Sequence, residues 1–238
     1  KNDVIIMSKF GVSWKKVVSK NRAITYIDCS PKRVKEALEA SLKRLKVDSI
    51  PIYFIHKPDP NTSIYSTLEA LQKCKEEGKI QHIGVSNFPL VLLKKADSTG
   101  LISCVQVQFN LFVNKEAKKV LDYCYRNELN IFTYGSLAQG LLTGKYSKDS
   151  RFPDNDRRNR LSHFQGDALE ENLKKIEKFK EIAVINEISL AQLAIKYVLN
   201  HPEVSSVIVG AKTAEQIYEN SIVMDLKLNN KPLEINID

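Results

Sequence analysis

The sequence of 238 residues contains no apolar run approaching the roughly 18–20 residues that cross a bilayer, so no transmembrane helix and no membrane partner are expected. A charged stretch followed by an apolar core is also missing from the first residues, and no secretory leader is expected. The glycines never fall as G-x-G-x-x-G, which excludes a Rossmann dinucleotide fingerprint. Cysteine is sparse: Cys29, Cys74, Cys104 and Cys124 form no C-x-x-C pair, and no histidine stands at metal-finger spacing. The expectation is free, mostly buried thiols in a reducing cytosol, with no metal site. Basic runs interleaved with aromatics are absent too. The net charge of +8 therefore reads as a solvated basic surface that attracts a phosphorylated small molecule, with no nucleic-acid partner.

What is present is alternation. Short apolar runs at residues 3–9, 49–55, 80–85, 104–109, 131–134 and 204–209 read as strands buried on both faces. Between them lie amphipathic stretches. Ser30 and Pro31 suit an N-cap and first helical position, and Val34, Leu38, Leu42 and Leu45 form one apolar face. Further helices are predicted over 62–77, from Pro89, over 115–128, 168–185, 189–199 and 213–224, with Gly78 ending the first of these. Residues 226–238 read as a polar tail. Such alternation implies a parallel sheet with right-handed crossovers, but an open doubly wound sheet and a TIM barrel share it.

In either architecture chemistry gathers at the carboxyl ends of strands. The residues there are Lys9, His56, Ser86 with Asn87, Gln108, Tyr134 and the run Gly210 to Thr213. Singly, each also fits a structural role, such as a hydrogen-bonded strand-end histidine or a wetted tyrosine. Six successive polar strand ends on otherwise greasy strands weaken that explanation. Gln106 and Gln108 share a strand face, which points to a polar layer.

These residues sit in strings that together resemble the aldo-keto reductase family. The strings are Ile6-Met-Ser-Lys9-Phe-Gly11, Ile55-His-Lys-Pro-Asp59, Gly78-Lys-Ile-Gln-His-Ile-Gly-Val-Ser-Asn-Phe88, Gln106-Val-Gln-Phe-Asn110, Tyr134-Gly-Ser-Leu-Ala-Gln-Gly-Leu-Leu-Thr-Gly-Lys145 and Val209-Gly-Ala-Lys-Thr213 with Asn220. They run in order from residue 1 to about residue 225. The resemblance implies an α/β fold, a TIM-type (β/α)8 barrel forming a single domain, and NADPH-dependent reduction of an aldehyde or ketone to the alcohol. It implies that Lys9 and His56 are catalytic, Lys9 favouring a tyrosinate and His56 orienting the carbonyl. Ser86, Asn87 and Gln106 would hold the nicotinamide carboxamide, and Tyr134 would stack on the ring. Leu137 and Gly140 would lie near the pyrophosphate, and Lys212, Thr213, Gln216 and Asn220 would take the adenosine end. A lysine and a hydroxyl there suit a 2′-phosphate, so NADPH is expected over NADH. Gly135 and Ser136 depart from the family's usual serine and proline.

A larger departure concerns the start. The family's aspartate and tyrosine precede the lysine strand, and no residue here matches either. Only six strand–helix units are legible where the barrel needs eight, so the first two are expected to be absent from this chain. Three explanations follow: an N-terminal segment of the same gene product or a partner chain supplies them; the chain is a non-catalytic NADPH-binding barrel acting as a sensor or partner subunit; or Tyr26, in the loop after the lysine strand, substitutes. Open sheet edges favour the first. Tyr53 has the wrong parity and should face a helix. The loop over 141–166, with Arg151, Arg157, Arg158 and Arg160 beside Asp154 and Asp156, reads either as a solvated ion-paired loop or as a lid.

Overall fold

A computed structural model describes residues 4–17, 22–112 and 115–226. The chain divides into two compact units, Lys1–Val107 with Lys119–Ile131, and Gln108–Lys118 with Phe132–Asp238. The predicted tail lies almost wholly outside the described residues.

In the first unit, β1 (Met7–Phe10) is followed by a hairpin of β2 (Val12–Val17) and β3 (Arg22–Ile27), then α1 (Pro31–Leu45), β4 (Ile50–Ile55), α2 (Ile64–Glu76), β5 (Ile80–Ser86), α3 (Leu90–Asp97) and β6 (Ile102–Gln108). Strands β1, β4, β5 and β6 lie side by side in that order and run parallel. Ser30 caps α1, its hydroxyl accepting from the Arg33 N–H at 3.3 Å, and Val34, Leu38 and Leu42 are buried, as the spacing predicts. Strand β1 begins later than its apolar run suggested and continues one residue past Lys9.

The hairpin is the element that sequence reasoning missed: residues 12–27 read as loop. Trp14 is 71% exposed and Ile24 and Tyr26 also face solvent, so neither face carries the alternation that burial imposes. Its return is pinned by the Asp28 N–H donating to the Gly11 carbonyl at 2.8 Å. A tight network then ties it to the end of β4. Asp59 accepts from the Cys29 N–H at 2.8 Å and the Thr62 hydroxyl at 2.8 Å, and the Thr67 hydroxyl donates to the Cys29 carbonyl at 2.8 Å.

The second unit carries β7 (Asn130–Tyr134, which begins in the first unit), α5 (Gly166–Ile185), α6 (Leu190–Leu199), β8 (Ser206–Ile208) and α7 (Ala214–Ser221), with α4 (Lys115–Arg126) shared between units. Strands β7 and β8 pair in parallel. Ser189 and Gln192 form a reciprocal capping box at the start of α6. The last helix is shorter than its pattern: α7 covers eight residues, and a 3₁₀ turn at Ile222–Met224 follows. The long polar loop is not featureless. It holds 3₁₀ turns at Ala138–Thr143, Arg157–Arg160 and Ser162–Phe164, and Tyr146, Phe152 and Phe164 meet edge to face at centroid distances of 5.3–5.7 Å. All four cysteines are free and buried. Among the described residues no single helix is long and apolar enough to cross a membrane.

Gly84 decides how the strands of the first unit pack. A Cβ there would stand 2.4 Å from the ring of the fully buried Phe54 and 2.8 Å from the Cys104 sulfur. Gly84→Ala is expected to cost about 1–3 kcal/mol through overpacking, read as a lower urea midpoint at unchanged slope. An unaltered midpoint would show that Phe54 has room to move.

Candidate active site

At the carboxyl ends of the parallel strands of the first unit, the register brings the expected polar residues together. Lys9 pairs in register with Phe54, and the next step is closed by the His56 N–H donating to the Phe10 carbonyl at 2.8 Å. The Lys9 ammonium sits over the Phe54 ring, 5.8 Å from its centroid. Burial lowers the Lys9 pKa. The His56 pKa is also low, first because of burial and then because the cations Lys9 and Lys57 are near. His56 is therefore held as neutral imidazole, which keeps one ring N–H as donor and one nitrogen as acceptor.

Beside this pair, β5 and β6 build an amide–hydroxyl chain. Asn87 adopts a left-handed backbone (φ 61°), a conformation asparagine tolerates better than most residues. Its side-chain amide donates to the His56 carbonyl at 3.0 Å and to the Ser86 hydroxyl at 3.0 Å. The Ser86 hydroxyl donates to Gln106 Oε1 at 3.4 Å, and the Asn87 N–H donates to the Gln106 carbonyl at 3.2 Å. Ser86 is fully buried and Gln106 is 3% exposed. Gln106 Nε2 is buried and has no hydrogen-bond partner among the described residues. An orphan donor of this kind costs stability unless something accepts from it. A primary carboxamide, offering one carbonyl acceptor and an N–H2 donor, fits this chain of groups.

Neither nearby tyrosine joins them. Tyr53 is buried against α1, where Ser41, Arg33 and Arg44 surround its hydroxyl, and burial pushes its phenol to about 12. This agrees with its parity. Tyr26 is 40% exposed on β3, and the Lys15 ammonium lies 5.4 Å from its ring centroid.

The second unit gathers the remaining expected residues into two groups. Tyr134 ends β7, half-buried, its carbonyl accepting from the Phe109 N–H at 3.1 Å. The Gly135 carbonyl accepts from the Asn110 amide at 2.9 Å. The Leu137 carbonyl accepts from the Gly140 N–H at 2.8 Å and the Leu142 N–H at 3.2 Å, shaping a tight turn. Gly140 lies against Tyr146, where a Cβ would stand 3.4 Å from the ring. At the other group, Thr213 caps α7 by accepting from the Gln216 N–H at 3.3 Å, and Gln216 Oε1 accepts from the Lys212 N–H at 2.8 Å. Asn220 follows one turn later on the same helix. Lys212, Thr213 and Gln216 are exposed.

Two of the charged residues named in the loop over 141–166, Asp156 and Arg158, form a pair held against aromatic rings. The guanidinium of Arg158 lies 4.2 Å from the Phe152 centroid and 5.3 Å from that of Tyr146, and it donates to the Tyr146 hydroxyl. Asp156 accepts from its Nε at 2.9 Å and Nη2 at 2.5 Å. The loop is thus ion-paired, as one of its two expected forms had it, but also anchored by rings. The signal available was the unperiodic spacing of Tyr146, Phe152 and Phe164.

The family model described as "Aldo/keto reductase family" matches residues 1–235, and the chain belongs to that family, whose fold is a TIM-type barrel. A relative in Schizosaccharomyces pombe, "Aldo-keto reductase yakc [NADP(+)]", is 32% identical over 84% of this chain and 60% of its own length. The "NADH-specific methylglyoxal reductase" of Escherichia coli is 27% identical over 97% of this chain and 72% of that protein. The structure of the glycerol dehydrogenase AKR11B4 from Gluconobacter oxydans superposes with a TM-score of 0.77 at 28% identity, covering 97% of this chain and 75% of that one. The chain thus spans 60–72% of the length of these two curated relatives.

The lowered pKa of His56 has a consequence for stability, and burial acts in the same direction on His163 and His201. Above the usual histidine range both folded and unfolded chains are unprotonated. Below it the unfolded chain takes up protons that the folded chain resists, so stability falls as pH drops. Melting temperature should decline from pH 7 to pH 5, and His56→Gln should flatten part of that slope. Equal slopes in wild type and variant would contradict the assignment.

Proposed function

We propose that this protein reduces an aldehyde or ketone to the alcohol with NADPH. The observation that carries this is the chain Asn87–Ser86–Gln106 beside Lys9 and His56, ending in the unpartnered buried donor Gln106 Nε2. When bound, the nicotinamide supplies the hydride. Gln106 Nε2 would donate to the carboxamide oxygen, and Ser86 and Asn87 would hold that amide and so select the ring face. His56, kept neutral, donates a ring N–H to the substrate carbonyl oxygen and orients it. Lys9 supplies the positive charge that favours negative charge developing on that oxygen.

In the second unit, Tyr134 would stack on the nicotinamide ring, the turn at Leu137 and Gly140 would lie near the pyrophosphate, and Lys212, Thr213, Gln216 and Asn220 would take the adenosine. Lys212 favours a 2′-phosphate, hence NADPH. With Tyr53 turned to α1, we assign the proton donor for the alkoxide to a tyrosine outside this sequence, N-terminal to Lys1 in the same gene product or in a partner chain. A small carbonyl compound is the substrate, and the cytoplasm is the proposed location.

The test is loss of reduced-cofactor absorbance with a broad panel of aldehydes and ketones, using the full-length protein. Lys9→Met should lower kcat/KM by about 10²-fold or more, the scale of losing one group that stabilises charge developing in the transition state. Gln106→Ala should raise the cofactor KM about tenfold, the equivalent of ~1.4 kcal/mol for one hydrogen bond to the carboxamide. Oxidation of NADPH by no carbonyl on the panel, while NADPH still raises the melting temperature, would replace catalysis by a sensor or partner-subunit role. Absence of any thermal shift would remove both. Tyr26→Phe should leave the rate unchanged, since Tyr26 is on the hairpin under Lys15.

A further inference from the structure

Gln108 is the last residue of β6 and a polar strand end with no part yet in holding the cofactor. Its side chain is exposed and makes no hydrogen bond among the described residues. The backbone beside it is tightly held. The Phe109 N–H donates to the Tyr134 carbonyl at 3.1 Å, and the Asn110 amide donates to the Gly135 carbonyl at 2.9 Å, so the ends of β6 and β7 are laced together.

Against that lacing the Gln108 side chain lies over the α-carbon of Gly135. A Cβ at Gly135 would stand 3.3 Å from Gln108 Cγ, 3.6 Å from Cδ and 3.7 Å from Nε2. Gly135 also has φ 69°, a left-handed backbone that strains any residue with a Cβ. Glycine at this position, where the family usually has serine, therefore leaves the space in which the Gln108 amide rests.

This contact fixes where the amide stands. Gly135 directly follows Tyr134, assigned to the nicotinamide ring, and lies two residues before Leu137, assigned to the pyrophosphate turn. Between ring and pyrophosphate a dinucleotide carries a ribose. On β6 the order is the same: Gln108 shares a face with Gln106, assigned to the ring carboxamide, and stands about 6.6 Å further toward the carboxyl end. A side-chain amide offers one carbonyl acceptor and two N–H donors, which matches neighbouring hydroxyls that each donate and accept.

We infer that Gln108 is a further cofactor-contacting residue: its side-chain amide, seated on Gly135, holds the hydroxyls of the ribose next to the nicotinamide. The inference rests on the NADPH reading proposed above and gives a residue to a part of the cofactor that had none.

The probes are NADPH and adenosine 2′-phosphate 5′-diphosphate, which lacks the nicotinamide riboside, each titrated calorimetrically into the full-length protein. Gln108→Met keeps the length that lies on Gly135 and removes the hydrogen-bonding groups. It should weaken NADPH about tenfold, or ~1.4 kcal/mol, and change the shorter probe less than about twofold. Gln108→Ala should do the same, with the urea midpoint of the free protein unmoved in both variants. A side chain that only packs on Gly135 would be replaced by Met without loss, so NADPH affinity kept in Gln108→Met but lost in Gln108→Ala overturns the inference. Equal weakening of both probes overturns it too. Should the shorter probe bind the wild type too weakly to titrate, the comparison of Gln108→Met with wild type on NADPH decides alone. If the wild type binds NADPH and neither variant weakens it, only the role of Gln108 is lost. If the wild type binds neither probe, the cofactor reading falls and the inference with it.

Discussion

The polar rim of the first unit depends on one missing atom. Because Gly84 has no Cβ, the Phe54 ring can lie against the β5 backbone where a Cβ would stand 2.4 Å from it. The ring then becomes the platform over which the Lys9 ammonium sits. A cation on an aromatic face is attracted by the ring quadrupole but keeps less water than in solution, which explains in one step why Lys9 is fixed and why its pKa is low. His56 inherits its neutral state partly from that same cation. The electrostatics of the site therefore trace back to a packing choice two residues from the polar end of β5.

Much of this was legible from the residues. Strands buried on both faces announce themselves as short uncharged apolar runs, and Ser30–Pro31 marks a helix start by local chemistry alone, so element order and strand ends could be placed before any coordinates. Lys9, His56, Ser86 and Asn87 follow from their strand ends, since a parallel register aligns carboxyl ends, while Gln106 came from sharing a face with Gln108 and from the family resemblance. The hairpin escaped because its large apolar residues face solvent and its buried residue is the polar Ser13, which leaves no apolar period-two pattern; Trp14 and Ile24 look the same in solvent as in a loop. The roles of Phe54 and Gly84 escaped because they are a long-range pair, and no local rule sets which glycine a distant ring will cover. The Asp156–Arg158 pair was visible as charge, but its anchoring by three rings needs the fold of the loop.

Taken separately, the two units present different chemistry. The first presents buried amide and hydroxyl groups in a chain with one donor left over, which suits a neutral planar amide and penalises a ligand lacking it. The second presents backbone turns and partly exposed cations, which suit phosphate.

The burial of every cysteine has a practical side. Desolvation pushes the thiols of Cys29, Cys104 and Cys124 to about 12 and that of Cys74 upward, so almost no thiolate exists at neutral pH to attack an electrophile. Burial thus shields these four cysteines from maleimide chemistry. A single cysteine engineered on the exposed side of α5, for example in place of Lys178, would give one attachment point for a fluorophore or spin label without first stripping the natural sulfurs from the core.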